Sequence, residues 1–365
     1  MPGVYISFPF CAQKCTFCNF ASGVFPPGLE RQYLEALRSE VERHAFAWRP
    51  ETLYIGGGTP SRISVAELER ILRPIPGRPW SESTIEAAPG SVTPEKAAAW
   101  VAAGINRVSL GVQSFVREEI SRTGRKHTAE LVGEEVALLR QAGIASINID
   151  LIAGLALQTP ASWRASLEWI EHLAPEHVSV YMFEIDEDSR LGKEVLHHGS
   201  RYSAPDVPSE DLAVELYEVA VEELARLGIY RYEISNFARK GMESKHNLKY
   251  WRLEPYTGFG NDAHSFDGAV RWQNVESPSD YVSRWEHGES PKLDPVAADL
   301  AEEQFFVGLR LAEGVRPGAA AWQRFQAPID RFLREGLLTN AGGTLRLTGR
   351  GVLLSNEVLQ EFIGT

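Results

Sequence analysis

Cysteine is scarce in this chain: three residues in 365, all between positions 11 and 18. An odd number of thiols packed so closely cannot build a disulfide framework, whereas short spacings of this kind are what a metal centre uses. Long apolar runs are missing too, and none approaches the ~20 residues of a membrane span, so no transmembrane segment is expected. Basic residues are outnumbered, 37 against 49 acidic, which leaves a formal charge of −12. A general grip on nucleic acid or anionic lipid is therefore not expected, and any basic patch must be local. Met1 to Phe10 carries no Lys or Arg. That fits neither a secretory signal nor a transit peptide, and a cytoplasmic location is expected.

What is present is the composition of a globular protein, 44% hydrophobic and 24% charged. Over the first 234 residues, short β-branched or aromatic runs alternate with amphipathic stretches, the pattern of a parallel sheet wrapped by helices. Strands are expected at Val4–Phe8, Thr52–Ile55, Thr84–Ala87, Arg107–Gly111, Ser146–Leu151 and His177–Glu184, with Tyr230–Ile234 as a candidate seventh. Helices are expected at Glu30–Ala47, Val65–Leu72, Pro94–Ala102, Ala129–Ala142, Ser162–Leu173 and Ser209–Leu227, and Gly104, Gly143 and Gly228 stand where C-terminal caps belong. The expected fold is α/β, a partial (β/α)6 TIM-type barrel over residues 1–234. An irregular segment, 235–294, follows, and then a small winged-helix-like α+β domain, 295–365. That last domain is read from helices at Ala297–Leu311 and Ile329–Glu335, a hairpin within Leu337–Leu347 turning at Gly342–Gly343, and a helix at Gly349–Phe362.

Cys11-x3-Cys15-x2-Cys18 follows the first strand directly, so its thiols belong at the C-terminal end of the barrel, the face where such folds place their chemistry. Three thiolates can hold three irons of a cubane and leave the fourth open. A zinc site is the alternative, although it normally closes its tetrahedron with a fourth Cys or a His, and the nearest His is His44.

The run Tyr5-Ile-Ser-Phe-Pro-Phe-Cys11-Ala-Gln-Lys-Cys15-Thr-Phe-Cys18 resembles the cluster loop of the radical S-adenosylmethionine (SAM) superfamily, in the branch that holds oxygen-independent coproporphyrinogen III oxidase (HemN) and the haem chaperone HemW. The resemblance runs over nearly the whole chain. It implies a [4Fe–4S] cluster on Cys11, Cys15 and Cys18, SAM bound to the open iron, an electron donor protein, and cleavage of SAM to a 5′-deoxyadenosyl radical. Gly56-Gly57-Gly58-Thr59-Pro60 after the second strand is similar to the element that meets the methionine amino group. Tyr5, Phe17, Gly57, Gly58, Thr59, Glu86, Gln113, Arg125 and Asp150 match cofactor-binding positions. Glu86, Gln113 and Asp150 end the third, fourth and fifth strands, so one rim collects carboxylates for ribose hydroxyls, an amide, and a guanidinium for the SAM carboxylate. Two positions depart from the family pattern: Ser7 replaces a His, and Ala88-Pro89 replaces Asn-Pro. Whether one or two SAM molecules bind is open.

Within the branch, the oxidase carries another Cys two residues after the third ligand and a longer segment before the first strand. Here Phe20 stands in place of that Cys and ten residues precede Cys11, as in HemW. His246-Asn247-Leu248-Lys249-Tyr250-Trp251 is similar to the HNxxYW signature associated with haem binding. An imidazole can ligate haem iron, Tyr250 and Trp251 can cover a porphyrin face, and Lys245, Lys249 and Arg252 can meet propionates. The alternative is a structural His in an aromatic loop. In the following stretch, Tyr256 to Ser265, His264 is a second candidate. The resemblance thus implies a haem-binding chaperone that delivers haem to a respiratory haem protein, with no residue assigned a catalytic role. Oxidative decarboxylation of porphyrinogen propionates and radical methyl transfer are the alternatives.

Overall fold

A computed structural model describes residues 2–19 and 21–364, so Phe20 lies outside the described residues. In chain order the first part comprises β1 (Gly3–Phe8), α1 (Leu29–Arg43), β2 (Thr52–Gly57), α2 (Val65–Leu72), β3 (Glu82–Ala87), α3 (Pro94–Ala102), β4 (Arg107–Gln113), α4 (Arg117–Arg122), α5 (Ala129–Ala142), β5 (Ser146–Ala153), α6 (Pro160–Leu173), β6 (His177–Met182), α7 (Arg190–Leu196) and α8 (Glu210–Arg226). Strands β1 to β6 pair in parallel in sequence order. Most of these helices start where a hydroxyl side chain can cap them, α1 and α4 being the exceptions. Ser64, Thr93, Thr128, Thr159 and Ser209 each accept a backbone N–H of the first turn. Gly143 ends α5 in the left-handed conformation that costs glycine little.

Each strand divides its side chains by alternation. Val4, Ile6 and Phe8, Leu53 and Ile55, Val108 and Leu110, Ile147 and Ile149, and Val178 and Val180 are all fully buried and face the helices. The opposite face carries Tyr5, Tyr54, Glu86, Arg107, Ser109, Asn148, Asp150, His177 and Ser179. A TIM barrel usually fills its interior with apolar layers. This interior is hydrogen-bonded instead: Asn148 Nδ2 donates to Ser109 Oγ and to Asp150 Oδ1, both at 2.7 Å, and His177 lies between Asn148 Oδ1 (2.6 Å) and Tyr232 OH (2.9 Å).

Two regions differ in detail from the sequence pattern. The candidate seventh strand shrinks to β7 (Tyr230–Arg231), which pairs antiparallel with β8 (Asn236–Ala238). Segment 235–294 is more regular than expected. It holds α9 (Lys245–Trp251), β9 (Tyr256–Phe259), β10 (His264–Phe266), β11 (Val270–Gln273) and α10 (Pro278–Glu286). β9 pairs in parallel with β1, and β10 and β11 continue the sheet antiparallel. The chain therefore crosses from the β6 side of the sheet to the β1 side, and α9 lies on that path.

Beyond β12 (Val296–Ala297) come α11 (Leu300–Phe306), α12 (Ala319–Arg324), α13 (Gln326–Arg334), the hairpin β13 (Leu338–Ala341) and β14 (Thr344–Leu347), α14 (Gly349–Leu353) and α15 (Ser355–Gln360). The helix–hairpin–helix order is the expected one, with the last helix broken at Leu354. Phe305, Phe325 and Phe362 form its centre, the Phe305 and Phe362 rings stacked at 4.7 Å. Among the described residues no helix is long and apolar enough to cross a membrane.

Candidate functional site at the barrel mouth

Cys11, Cys15 and Cys18 lie in the loop after β1, all partly exposed. The loop is tied on two sides. Thr16 N donates to Thr123 O (3.4 Å), Leu191 N to Thr16 O (2.9 Å), and the Arg190 guanidinium caps the Lys14 carbonyl. Its base is closed by Cys11 N to Gly23 O and Gly23 N to Pro9 O, both at 2.8 Å. Burial pushes the Cys11 thiol pKa up, with the Thr59 hydroxyl opposing the shift. Among the described residues no three His, Cys, Asp or Glu side chains converge as ligands of a single ion. Thiolates on separate corners of a cubane each bind their own iron and need no such convergence.

The glycine run sits directly against this loop. Gly57 has φ 114° and a Cβ there would meet Phe8 O at 2.9 Å, while a Cβ on Gly58 would fall 2.8 Å from Pro9 O and 2.9 Å from Cys11 Sγ. No other residue type fits so close an approach without displacing the cysteine loop.

Two carboxylates face the mouth from inside the barrel. Glu86 Oε1 accepts from Tyr54 OH (2.9 Å) and Oε2 from Gly57 N (3.0 Å). Burial, and then the charge of Asp150, raise the pKa of Glu86 to about 7. Asp150 Oδ2 accepts from Ser109 Oγ at 3.1 Å, and burial raises its pKa as well. The end of β4 is irregular. Its pairing with β5 shifts between Leu110 and Gln113, and Gln113 takes φ 70°, an uncommon and strained conformation outside glycine. Arg125 NH1 donates to Gly111 O (2.5 Å), and its Nε is buried with no partner. Two buried acids, a Gln113 held on strained backbone and an orphaned guanidinium nitrogen on one rim suit a polar ligand that offers hydroxyl donors at one end and an anionic group at the other. Tyr5 joins this rim, its ring stacked on Tyr54 at 6.1 Å. Phe17 is half-buried in the cysteine loop. Of the two departures from the family pattern, Ser7 is buried and its carbonyl accepts from Tyr33 OH (2.8 Å), while Ala88 N donates to Ser61 Oγ (3.3 Å).

The HNxxYW residues lie at the other end of the barrel. Glu82, at the start of β3, accepts from Ser244 Oγ (3.2 Å), Lys245 N (2.8 Å) and His246 N (2.9 Å). His246 is fully buried. Its Nδ1 pairs with Thr52 Oγ1 and its Nε2 with Tyr250 OH, both at 2.8 Å, and burial lowers its pKa to about 3. In this arrangement neither ring nitrogen is open to iron. Asn247 N donates to the capping Ser244 Oγ (3.3 Å), Tyr250 packs edge-on against Tyr256 at 4.6 Å, and Trp251 lies under Arg310 at 4.5 Å. Two of the three expected propionate cations are committed elsewhere: Lys249 to Glu51 (2.8 Å) and Glu254 (3.1 Å), Arg252 to Glu313 (3.0 Å). The sequence signature reads the same whether its imidazole faces a ligand or a strand end.

Sequence reasoning missed the residues that support the rim, namely Tyr54, Ser109 and Asn148. Their signal was period-two alternation: polar groups at every second position of strands whose other face is wholly apolar.

Residues 5–170 match the family described as the Radical SAM superfamily, and residues 297–354 match the HemN C-terminal domain. The chain is 33% identical, over 382 aligned positions and 100% of both chains, to the heme chaperone HemW of Bacillus subtilis (strain 168). It is 29% identical to the heme chaperone HemW of Escherichia coli (strain K12), covering 99% of this chain and 97% of that one. Identity is 30% to the mitochondrial radical S-adenosyl methionine domain-containing protein 1 of Bos taurus, covering 98% and 86%. Among solved structures, coproporphyrinogen III oxidase (HemN) from Escherichia coli superimposes with a TM-score of 0.85 over 100% of this chain and 90% of that one. Identity there is 22%, so the likeness is one of fold.

Proposed function

The chain belongs to the radical SAM superfamily, in the HemW family of its HemN/HemW branch, and on that premise we propose that it is a haem chaperone that binds a [4Fe–4S] cluster, SAM and haem and passes haem to an acceptor. The observation that carries this reading is the end-to-end match to relatives called heme chaperone HemW, joined to a three-cysteine loop at the strand tips. Cys11, Cys15 and Cys18 would hold the cluster. Gly57, Gly58 and Thr59, with Tyr5 and Phe17, would border the methionine end of SAM. Glu86 and Asp150 would accept ribose hydroxyls, Gln113 would meet a polar edge, and Arg125 would offer its unpartnered Nε to the carboxylate. The cluster, when bound, supplies one electron to the sulfonium of SAM. The remaining partners in this reading are a protein electron donor and a respiratory haem acceptor, with the exchange taking place in the cytoplasm.

The test is haem titration of the reconstituted protein with and without SAM, followed by transfer to an apo-haem protein. One haem per chain and transfer that depends on the cluster are expected. An anaerobic turnover that yields decarboxylated porphyrinogen, or S-adenosylhomocysteine, would instead support the oxidase or the methyltransferase.

The buried acid makes a second expectation. An ionised Glu86 accepts ribose hydroxyls better than a neutral one, so SAM affinity should rise as pH passes from 6 to 8, through the raised pKa of about 7. The gain corresponds to one charge-assisted hydrogen bond, about tenfold. Glu86→Gln should flatten this profile. Tyr54→Phe should move it to higher pH, because the lost hydroxyl is one of the groups holding the Glu86 pKa down. Calorimetry across that pH range checks both, and comparison of the variants separates Glu86 from the ligand's own amine.

A further inference from the structure

We propose that Asn148, His177 and Tyr232 are positioning residues for the SAM rim: they form a one-way chain of hydrogen bonds that starts at α9 and fixes the Asp150 carboxylate as an acceptor for a ribose hydroxyl. The inference rests on the SAM-binding reading and adds three residues to it.

The chain runs down the barrel interior. Asp150 Oδ1 lies 2.7 Å from Asn148 Nδ2, Asn148 Oδ1 lies 2.6 Å from His177 Nδ1, and His177 Nε2 lies 2.9 Å from Tyr232 OH. The Tyr232 oxygen in turn accepts the backbone N–H of Ser244, the cap of α9, at 3.2 Å. Asn148 and His177 are buried, so their polar atoms must satisfy one another.

Every link has one sense. The Ser244 N–H can only donate, so the hydrogen of Tyr232 is left for His177 Nε2. Burial, and then the charge of Arg107, keep the imidazole neutral. With Nε2 accepting, the ring hydrogen is on Nδ1. It donates to Asn148 Oδ1, which turns the amide nitrogen toward Asp150. A second arm fixes the same orientation. The buried Glu233 carboxylate faces Arg310 at 3.3 Å and accepts Asn236 Nδ2, so Asn236 Oδ1 faces Ser179. The Ser179 hydroxyl donates to it at 2.8 Å and accepts from Asn148 Nδ2 at 3.1 Å. Both arms therefore begin at groups with no choice of role, a backbone N–H and a carboxylate paired with an arginine. An Asp150 that donated to Asn148 would have to reverse the whole network. Ser109 Oγ completes the arrangement, accepting from Asn148 Nδ2 at 2.7 Å and donating to Asp150 Oδ2 at 3.1 Å. Each oxygen of Asp150 thus receives one donor from the protein and keeps a lone pair for a hydroxyl at the mouth.

The experiment is calorimetric SAM titration of the cluster-reconstituted, full-length protein. The variants are His177→Phe, His177→Gln, Tyr232→Phe, Asp150→Ala and Asp150→Ala combined with His177→Phe, each checked by iron content and circular dichroism. His177→Phe should bind SAM about tenfold more weakly, the loss of one hydrogen bond to a charged group. His177→Gln offers an amide N–H to Asn148 and an oxygen to Tyr232, and should restore the parent affinity. Tyr232→Phe releases the tautomer and should show a smaller loss. In the Asp150→Ala background, His177→Phe should weaken binding no further, because its effect passes through the missing carboxylate. Where His177→Phe does not fold, Tyr232→Phe alone and combined with Asp150→Ala gives the same comparison. Parent affinity in folded His177→Phe and Tyr232→Phe, or an equal further loss in the Asp150→Ala background, overturns the chain while leaving the SAM-binding reading intact. A parent protein that binds no SAM overturns that reading and the chain with it.

Discussion

Replacing any one of Cys11, Cys15 and Cys18 by serine should drop the iron content of anaerobically reconstituted protein from about four per chain to near zero and abolish SAM cleavage, because a cubane with three protein thiolates has none to spare. The three variants should fold. None of these side chains belongs to the buried core, and the loop is tied by backbone bonds of Cys11, Thr16 and Gly23 that serine leaves in place. The readouts are iron and sulfide analysis, the broad visible absorption of the cluster, and circular dichroism. A parent protein that stays colourless and carries one zinc, with the same three variants losing it, would sink the cluster assignment.

Glu82→Ala should lower stability by about 3 kcal/mol or more, a melting temperature roughly 4 °C or more below the parent. The Glu82 carboxylate is buried and receives three donors from the start of α9. Its removal leaves backbone N–H groups of Lys245 and His246 without partners under the strand starts. The cysteine loop stands at the opposite strand ends, so the variant should still take up iron. A melting temperature within a degree of the parent would show that α9 is held by packing alone.

The six parallel strands and their helices were legible because most units repeat a local signal: a short apolar run, with a hydroxyl cap or a closing glycine. The cysteine loop and glycine run were legible for the same reason, since their meaning lies in spacing. Elements defined by distant partners were not. Tyr256–Phe259 is four residues long and has no pattern of its own, so its place beside β1 depends on a partner at the far end of the sequence. The Ala297–Leu311 helix is shorter than its apolar pattern implies, ending at Phe306 and passing into a single 3₁₀ turn at Gly308–Arg310. His246 shows the limit most plainly. A motif specifies residue types at intervals, whereas the use of an imidazole depends on what stands opposite it, here Thr52 and Tyr250.

The position of β1 bears on how the protein is made. Its cysteine loop extends from a strand flanked by β2 on one side and, in register from Gly3 with Tyr256, by β9 on the other. A nascent chain that has left the ribosome only as far as α8 presents all three thiols on a strand with one bare edge. Closing that edge needs Phe259, whereas the loop's own ties, to Gly23, Thr123 and Leu191, are made by residues translated before it, so the strand beneath the cradle is completed after the cradle itself.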